Sequence, residues 1–352
     1  MKARRNLMWP TLLPSASAGD DFRPTATLEM LRFRAELLRR TRDFFDRRGF
    51  LEVETPVLSA DTVVDRHLDP FEVEVGRSPL DTGKGGQATH AGRPYYLQTS
   101  PEFAMKRLLA AGAEAIYQIA RAFRRDELGP LHNPEFTMVE WYRAGDDYDA
   151  GMTLLGELAE TLFGRGPAER ISYREAFEQF VGLDPHTART DQIVAAVRDR
   201  RIDAPESLSP ADRDSWLDLL LIDLVQPQLG RTRPVILYDY PAMQSALARV
   251  RDDGPRGKVS ERFELYVDGI ELANGYHELT DAEELVRRNV QTNLQRQLDG
   301  KRPLPSESRL LAAMNAGLPQ STGVAMGFDR VVMLAAGAKT LAEVMPFPFD
   351  RA

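Results

Sequence analysis

The segment from Ala115 to Arg143 constrains the fold of this chain more than any other. Apolar, aromatic and β-branched residues fill its first part, and they return between Phe136 and Tyr142 after a loop that contains two prolines, a glycine and an asparagine. Strand-forming residues on both sides of such a loop are typical of two antiparallel strands. The segment therefore predicts a long hairpin.

The loop end of this hairpin carries residues suited to binding a nucleotide. Arg124 is expected to end the first strand, Arg125 and Asp126 open the loop, and Phe136 begins the return strand. A guanidinium group binds phosphate in a fixed fork, and an aromatic ring can stack on a purine base. Charged loops are also common on ordinary hairpins. The hairpin alone therefore leaves a solvated charged loop as the alternative.

The composition excludes several kinds of protein. A net charge of −8 argues against general binding to nucleic acids or membrane surfaces, because such proteins usually carry a basic excess. The absence of cysteine excludes disulfides and thiol nucleophiles, and it fits a cytoplasmic protein. No apolar run is long enough to span a membrane. None of the five histidines has the spacing of a metal site on a helix.

Capping and turn residues divide the rest of the chain. Residues 1–27 are expected to be a disordered leader, and residues 28–48 an amphipathic helix capped by Thr27. The extended segment around Pro56 is expected to be an edge strand, where two subunits could form a homodimer. Further expected elements are an exposed loop at 76–94, a strand at 95–99 followed by a helix, and a mainly helical insertion at about 148–230.

An Asp-Gly pair at 268–269 predicts a second hairpin. The register that this turn imposes pairs Leu265 with Leu272 and brings Glu264 and Glu271 to one face. Two neighbouring carboxylates repel each other unless a cation lies between them, and oxygen ligands in low number suit magnesium bound with a nucleotide. Two ordinary surface glutamates would give the same pattern.

Two segments follow this hairpin and add further charges. A glycine bend is expected at 273–275, shortly before Glu278. Near the C-terminus, Gly327 is expected to allow a ligand to approach the backbone, and Arg330 to start an apolar helix.

Taken together, these segments resemble the catalytic domain of class II aminoacyl-tRNA synthetases. GFLEVETP resembles motif 1, FRRDELGPLHNPEF motif 2 and GVAMGFDR motif 3. SPE at 100–102, HNPEFTMVEWY at 132–142 and ELANGYHELTD at 271–281 resemble the lysine branch, and most closely the elongation factor P lysine ligases, which are paralogues of lysyl-tRNA synthetase. The resemblance covers residues 28–352. It implies an α+β fold, with an antiparallel sheet flanked by helices, and a homodimer formed through motif 1.

The resemblance also implies a set of site residues. ATP would be bound by Arg124, Arg125, Asp126, Asn133, Phe136, Glu271, Leu272, Gly327 and Arg330. Among these, Arg124 and Arg330 would be catalytic, and the adenine would lie between Phe136 and Arg330. Mg²⁺ would be bound by Glu264 and Glu271. The diamino acid would be bound by Ser100, Pro101, Glu102, Tyr142, Asn274 and Glu278. Glu102 and Glu278 are expected at opposite ends of this pocket, each facing an ammonium group.

The resemblance implies a two-step reaction in which ATP activates (R)-β-lysine as an aminoacyl adenylate, and a lysine side chain of elongation factor P accepts it. Positioning and electrostatics suffice for this chemistry, so no protein nucleophile is needed. Lysyl-tRNA synthetases carry an N-terminal anticodon-binding domain, and only about 27 residues precede the first predicted helix here. No contact with a tRNA anticodon is therefore expected.

Two alternatives to this reaction stay open. The first is a truncated lysyl-tRNA synthetase-like enzyme that uses α-lysine and tRNA. The second is a non-catalytic paralogue, which the presence of Arg124, Glu271 and Arg330 disfavours.

Overall fold

The computed structural model describes residues 22–75, 94–206, 208–254 and 257–352. Residues 1–21 of the expected leader and residues 76–93 of the expected loop lie outside the described residues. The helices are α1 (Leu28–Asp46), α2 (Glu102–Ala110), α3 (Tyr148–Phe163), α4 (Tyr173–Phe180), α5 (Thr190–Asp199), α6 (Arg213–Leu220), α7 (Ala282–Leu298), α8 (Arg309–Gly317) and α9 (Phe328–Ala335). The strands are β1 (Leu51–Glu52), β2 (Leu58–Ser59), β3 (Glu72–Val73), β4 (Tyr95–Leu97), β5 (Ala115–Phe123), β6 (Glu135–Ala144), β7 (Glu169–Ser172), β8 (Val235–Pro241), β9 (Val250–Asp252), β10 (Lys258–Val267), β11 (Ile270–His277) and β12 (Ser321–Gly327).

The predicted hairpin of β5 and β6 belongs to a sheet that has nine strands among the described residues. Its strand order is β1-β5-β6-β12-β11-β10-β8-β7, with β9 paired to β10. Pairing is antiparallel from β5 to β8 and parallel at the two ends, where β1 meets β5 and β7 meets β8. The predicted α+β architecture with an antiparallel sheet is therefore confirmed, and the parallel pairing is confined to the edges. Strands β2, β4 and β3 form a separate sheet.

Aromatic side chains pack α1 against one face of the main sheet. Phe45 of α1 is fully buried, and its ring centre lies 4.6 Å from that of Tyr117 and 5.2 Å from that of Trp141. Ile116 and Tyr142 have the opposite parity in β5 and β6, and they pack with α2 and α8. Helices therefore pack on both faces of the hairpin. α1 covers one face, and α2 covers the face that contains Tyr142.

The first described residues are packed against residues near 345. The Thr27 hydroxyl caps α1 by accepting a hydrogen bond from the Met30 N–H at 3.1 Å, as predicted. α1 ends at Asp46, two residues before the expected end. Ahead of the cap, Ala26 is buried and the Thr25 hydroxyl donates to the Met345 carbonyl at 2.8 Å.

The segment around Pro56 is divided between two sheets. β1 lies at the edge of the main sheet, as expected for a strand in this segment, whereas β2 joins the smaller sheet. Pro56 lies between them and belongs to neither strand.

The second hairpin has the predicted turn, and the predicted pairs Val267–Ile270 and Tyr266–Glu271 are confirmed, but the register changes beyond Tyr266. Asp268 and Gly269 have φ angles of 52° and 76°, which is the geometry that an Asp-Gly turn favours. Leu265 pairs with Ala273, so the predicted pair with Leu272 is wrong. The reason is a β-bulge that inserts one extra residue into β11. The expected glycine bend at 273–275 is also wrong, because β11 continues through it to His277.

The region 148–230 contains α3 to α6 and the short strand β7. α3 packs into the core of the main sheet, where Leu155 and Leu158 are fully buried. α4 to α6 form a second apolar cluster with β8, in which Phe177 and Leu217 are fully buried. Within the described ranges, no helix combines the length and apolar composition needed to cross a bilayer.

A buried ion pair joins α1 to α9. Arg34 Nη1 lies 2.6 Å from Asp329 Oδ1, and the exposed fractions of the two side chains are 12% and 3%. The other oxygen of Asp329 accepts a hydrogen bond from the Thr137 N–H at 2.6 Å, and Thr137 lies next to Phe136 in β6. This contact therefore holds the beginning of β6 against α9.

We expect Arg34→Met to lower the free energy of unfolding by about 3 to 5 kcal/mol, because it leaves a buried carboxylate without its counterion. The matched control is Arg40→Met on the same helix, whose ion pair with Glu36 is exposed; its cost should be about 1 kcal/mol or less. Denaturant unfolding measures both. Equal costs would contradict the assigned role of Arg34.

Candidate active site

The loop end of the β5–β6 hairpin brings Arg124 and Phe136 together. The guanidinium carbon of Arg124 lies 5.0 Å from the centre of the Phe136 ring, within cation–π range. The Nε–H of Arg124 is buried without an acceptor among the described residues, and Nη1 lies 3.8 Å from Glu127 Oε1. Because an unsatisfied buried donor is costly, this guanidinium is well placed to bind an anionic ligand.

Arg125 and Asp126 lie at the surface of the same loop. Their side chains are about half exposed, and Arg125 Nε lies 3.6 Å from Asp126 Oδ2. The Arg125 N–H donates to the Asp69 carbonyl at 2.8 Å. The backbone of the loop is thus fixed, while both side chains face outward in part.

Asn133 uses its amide to fix the loop. Its Nδ2 donates to the Glu135 carbonyl at 2.6 Å, and its Oδ1 accepts from the Phe349 N–H at 2.9 Å. The Leu341 N–H donates to the Pro130 carbonyl at 2.8 Å. In this arrangement Asn133 supports the predicted ATP site by holding the loop.

Arg330, in the first turn of α9, connects the hairpin loop to β11. Its guanidinium donates to the Leu131 carbonyl at 3.1 Å and to the Glu271 carbonyl at 2.9 Å, and it contacts His132 Nε2 at 2.7 Å. Burial and the nearby Arg124 lower the pKa of Arg330, while Glu271 opposes this shift. Two cationic groups therefore converge here, and the carboxylates of Glu271 and Glu127 partly offset their repulsion.

Gly327 and Leu272 meet through the backbone. A Cβ on Gly327 would lie 3.8 Å from the Leu272 carbonyl oxygen. The Leu272 side chain is buried in the core of the main sheet. Leu272 can therefore line a nucleotide site only with its backbone.

The bulge in β11 brings Glu271 and Asn274 to one face of the sheet. Tyr266 pairs with Glu271 and Glu264 pairs with Asn274, and paired residues share a face. Residues three positions apart would point to opposite faces in a regular strand. The bulge thus lets one strand present both side chains to the same site.

Glu264 and Glu271 are close enough to influence each other. Burial raises the pKa of Glu264, and the Glu271 carboxylate raises it further. Glu264 accepts hydrogen bonds from Arg262 at 2.6 Å, from the Tyr240 hydroxyl at 2.6 Å and from the Tyr266 hydroxyl. The described part of the chain contains no group of three acidic, histidine or cysteine side chains that could hold a metal. A magnesium ion at this pair would need most of its ligands from a nucleotide and water.

The predicted amino-acid pocket contains a lysine that bridges its two acids. Lys106 Nζ lies 2.5 Å from Glu102 Oε1 and 2.5 Å from Glu278 Oε2. All three side chains are buried. The expectation that Glu102 and Glu278 lie at opposite ends of the pocket is therefore wrong, because both contact one ammonium group.

A third buried carboxylate, Glu140, completes this cluster. The Ser100 hydroxyl donates to Glu140 Oε2 at 2.7 Å, and the Tyr142 hydroxyl donates to Oε1 at 2.6 Å. The Glu102 N–H donates to Ser100 Oγ at 3.0 Å, which holds the start of α2 at the pocket. Pro101 is the N-cap residue of α2, where its missing N–H costs nothing.

Burial governs the protonation of this cluster. It raises the pKa of Glu140 to about 7, with a further contribution from Glu102. It raises the pKa of Glu278 to about 8, although Lys106 acts in the opposite direction. Burial lowers the pKa of Lys106, but Glu102 and Glu278 outweigh it and raise that pKa above its ordinary value. Lys106 is therefore charged, whereas Glu140 and Glu278 titrate near neutral pH.

Asn274 has a side-chain oxygen that accepts no hydrogen bond from the described residues, on the same face of the sheet as Glu271. Its Nδ2 donates to the Tyr276 hydroxyl at 3.1 Å, and its Oδ1 is buried without a partner among the described residues. A ligand ammonium or hydroxyl group would satisfy this oxygen.

Three contributing residues were absent from the sequence prediction. Glu140 had a signal, since it is a charged residue within the mainly apolar segment from Met138 to Tyr142. Lys106 follows Glu102 by four positions, which suggests a helical ion pair but not a contact with Glu278. The sequence around His132 did not indicate its contact with Arg330.

The sequence profile of the tRNA synthetases class II (D, K and N) matches residues 20–351, so this chain belongs to that family. Similar proteins include one from Mannheimia succiniciproducens, 43% identical over 94% of this chain and 98% of the relative. Another, from Vibrio cholerae, is 44% identical over 94% of this chain and 99% of the relative. A third, from Salmonella gallinarum, is 44% identical over 94% of this chain and 98% of the relative. All three are named elongation factor P–(R)-β-lysine ligase.

A substitution at Gly323 of β12 tests the location of the predicted amino-acid pocket. A Cβ on Gly323 would overlap the Tyr142 ring and the Glu278 carboxylate. We expect Gly323→Ala to displace both and to weaken binding of a diamino acid about tenfold or more. Calorimetry with (R)-β-lysine and with ATP, titrated separately, measures the effect, and ATP affinity should stay unchanged. As a control, Gly156→Ala in α3 meets its nearest atom at 3.4 Å and should bind normally. Unchanged binding of (R)-β-lysine by the Gly323→Ala variant would show that the amino acid binds at another site.

Proposed function

We propose that this protein uses ATP to convert (R)-β-lysine into an aminoacyl adenylate and transfers the lysyl group to a lysine side chain of elongation factor P. The buried cluster of Glu102, Glu140 and Glu278 is the observation that carries the proposal, because it suits a substrate with two ammonium groups. The names of relatives that match nearly the whole chain support the amino acid and the acceptor. An acceptor that acts in translation would place the reaction in the cytoplasm.

ATP would bind at the loop end of the β5–β6 hairpin. The adenine would stack on Phe136, with Arg330 on its other side, and Arg124 would bind the phosphates. The unsatisfied Nε–H of Arg124 and the proximity of the Arg124 and Arg330 guanidinium groups support this placement. Arg125, Asp126, Asn133, Glu271, Leu272 and Gly327 would complete the site.

The reaction would proceed in two displacements. A carboxylate oxygen of the amino acid attacks the α-phosphorus of ATP, and diphosphate leaves as the new O–P bond forms. Arg124 stabilises the charge that develops on the phosphate oxygens. The uncharged amine of the acceptor lysine then attacks the activated carbonyl carbon, an amide bond forms, and AMP leaves.

Glu264 and Glu271 would hold Mg²⁺ together with ATP. A divalent cation would relieve the repulsion that raises the pKa of Glu264. When bound, the ion would offset negative charge on the phosphates.

A lysyl-tRNA synthetase-like activity with α-lysine and tRNA is the competing function. The acidic net charge and the names of the relatives favour a protein acceptor over tRNA.

Transfer assays with two acceptors distinguish these functions. Amino-acid-dependent diphosphate exchange with (R)-β-lysine should exceed exchange with α-lysine, and the labelled product should appear on elongation factor P and not on tRNA. Transfer to tRNA alone would replace the proposal with the competing function. Arg124→Ala should lower exchange by a hundredfold or more, the usual cost of losing one charge-stabilising donor. Arg121→Ala is the matched control, since its exposed side chain only approaches Glu135 at 3.5 Å.

The protein is also expected to form a homodimer through the segment around Pro56. The edge position of β1 supports this, because an edge strand leaves backbone groups available to a second subunit. Sedimentation at micromolar concentration should give about twice the chain mass of 39.5 kDa. A species with the mass of one chain would remove this expectation.

A further inference from the structure

Lys106 binds one oxygen of each of two carboxylates in the amino-acid pocket, those of Glu102 and Glu278. Its ammonium binds Oε1 of Glu102 and Oε2 of Glu278. The other oxygen of Glu278, Oε1, is buried and has no hydrogen-bond partner among the described residues. The Lys106 side chain is only 2% exposed and its Nζ lies 5.9 Å from the centre of the Tyr142 ring, so the ammonium belongs to the wall of the pocket.

The charges of the pocket can be counted from its buried groups. Glu102, Glu140 and Glu278 carry three negative charges when all are ionised, and Lys106 carries one positive charge. Two negative charges then remain for the ligand. A diamino acid supplies two ammonium groups, so each ligand cation finds one uncompensated carboxylate.

We propose that Lys106 determines specificity by offsetting one of the three pocket carboxylates, so that the pocket selects ligands with two ammonium groups over ligands with one. This inference rests on the proposed function, because it assumes that the pocket binds a diamino acid. Lys106 acts through Glu102 and Glu278, so it is a positioning residue.

Burial favours the protonated forms of the carboxylates that the ligand ammonium groups would face. The titratable groups around Lys106 are Glu102 on α2, Glu140 and Tyr142 on β6, and Tyr276 and Glu278 at the end of β11. Burial raises the pKa of Glu140 to about 7 and that of Glu278 to about 8, so both bind protons near pH 7. Ligand ammonium groups favour the ionised carboxylates and displace these protons.

Calorimetry of the wild-type protein in buffers of different ionisation enthalpy counts the released protons. At pH 7, binding of (R)-β-lysine should release more than one proton. 2-Aminohexanoic acid has only one ammonium group, so it should bind more weakly and release about one proton fewer. Release of one proton or fewer with (R)-β-lysine would overturn the inference.

The pH dependence of affinity tests Lys106 itself. Because Glu140 and Glu278 must lose protons, affinity should rise as pH increases through about 7 to 8. Lys106 lowers the pKa of Glu278, so Lys106→Met should raise that pKa and move the increase in affinity upward by about one pH unit or more. At pH 7 the variant should bind about tenfold more weakly or worse, with unchanged ATP affinity. A packing defect would instead weaken binding equally at every pH, and this result would count against the proposal.

Two further variants complete the experiment. Lys106→Arg keeps the charge, so its profile should stay within about half a pH unit of the wild type; a shift as large as that of Lys106→Met would contradict a role through charge. Lys339→Met removes an exposed lysine and should change nothing. If Lys106→Met does not fold, the proton count and the arginine variant decide the question. Binding of neither lysine isomer by the wild type would instead refute the proposed function.

Discussion

The ion pairs of Lys106 with Glu102 and Glu278 are the contacts on which the amino-acid pocket depends. They join α2 to the end of β11, and they compensate charges that would be very costly to bury alone. Hydrogen bonds from Ser100 and Tyr142 support the third acid, Glu140. Helix, hairpin and central strand are thereby fixed against one another where the substrate is proposed to bind.

A single strand, β11, links the two halves of the site. Glu271 lies at the end of β11 near the proposed nucleotide site and Glu278 directly follows its other end, while the bulge turns Asn274 to the same face. Neighbouring strands hold β11 on both sides, so the positions of Glu271 and Asn274 are set by the sheet and not by a loop. Sites on regular elements keep their geometry more accurately than sites on loops, which would favour the in-line attack proposed above.

Local sequence signals predicted the elements but not all of their contacts. The Asp268-Gly269 turn and the Thr27 cap depend on nearest neighbours, so composition and spacing were sufficient. The bulge in β11 was missed because one inserted residue leaves little trace in a short strand. The bridge from Lys106 to Glu278 was missed because it depends on how distant segments pack. Motif order identified the family.

The contacts of Asn133 with Phe349 and of Pro130 with Leu341 have a consequence for biosynthesis. Asn133 and Phe349 are separated by 216 positions, so the loop beside Arg124 is translated long before the backbone that holds it exists. A nascent chain can pair β5 with β6 early, because this contact is local. It cannot lock the loop until the later residues have emerged from the ribosome. Order in the loop of the proposed nucleotide site thus arrives late in synthesis, after Leu341 and Phe349 have been made.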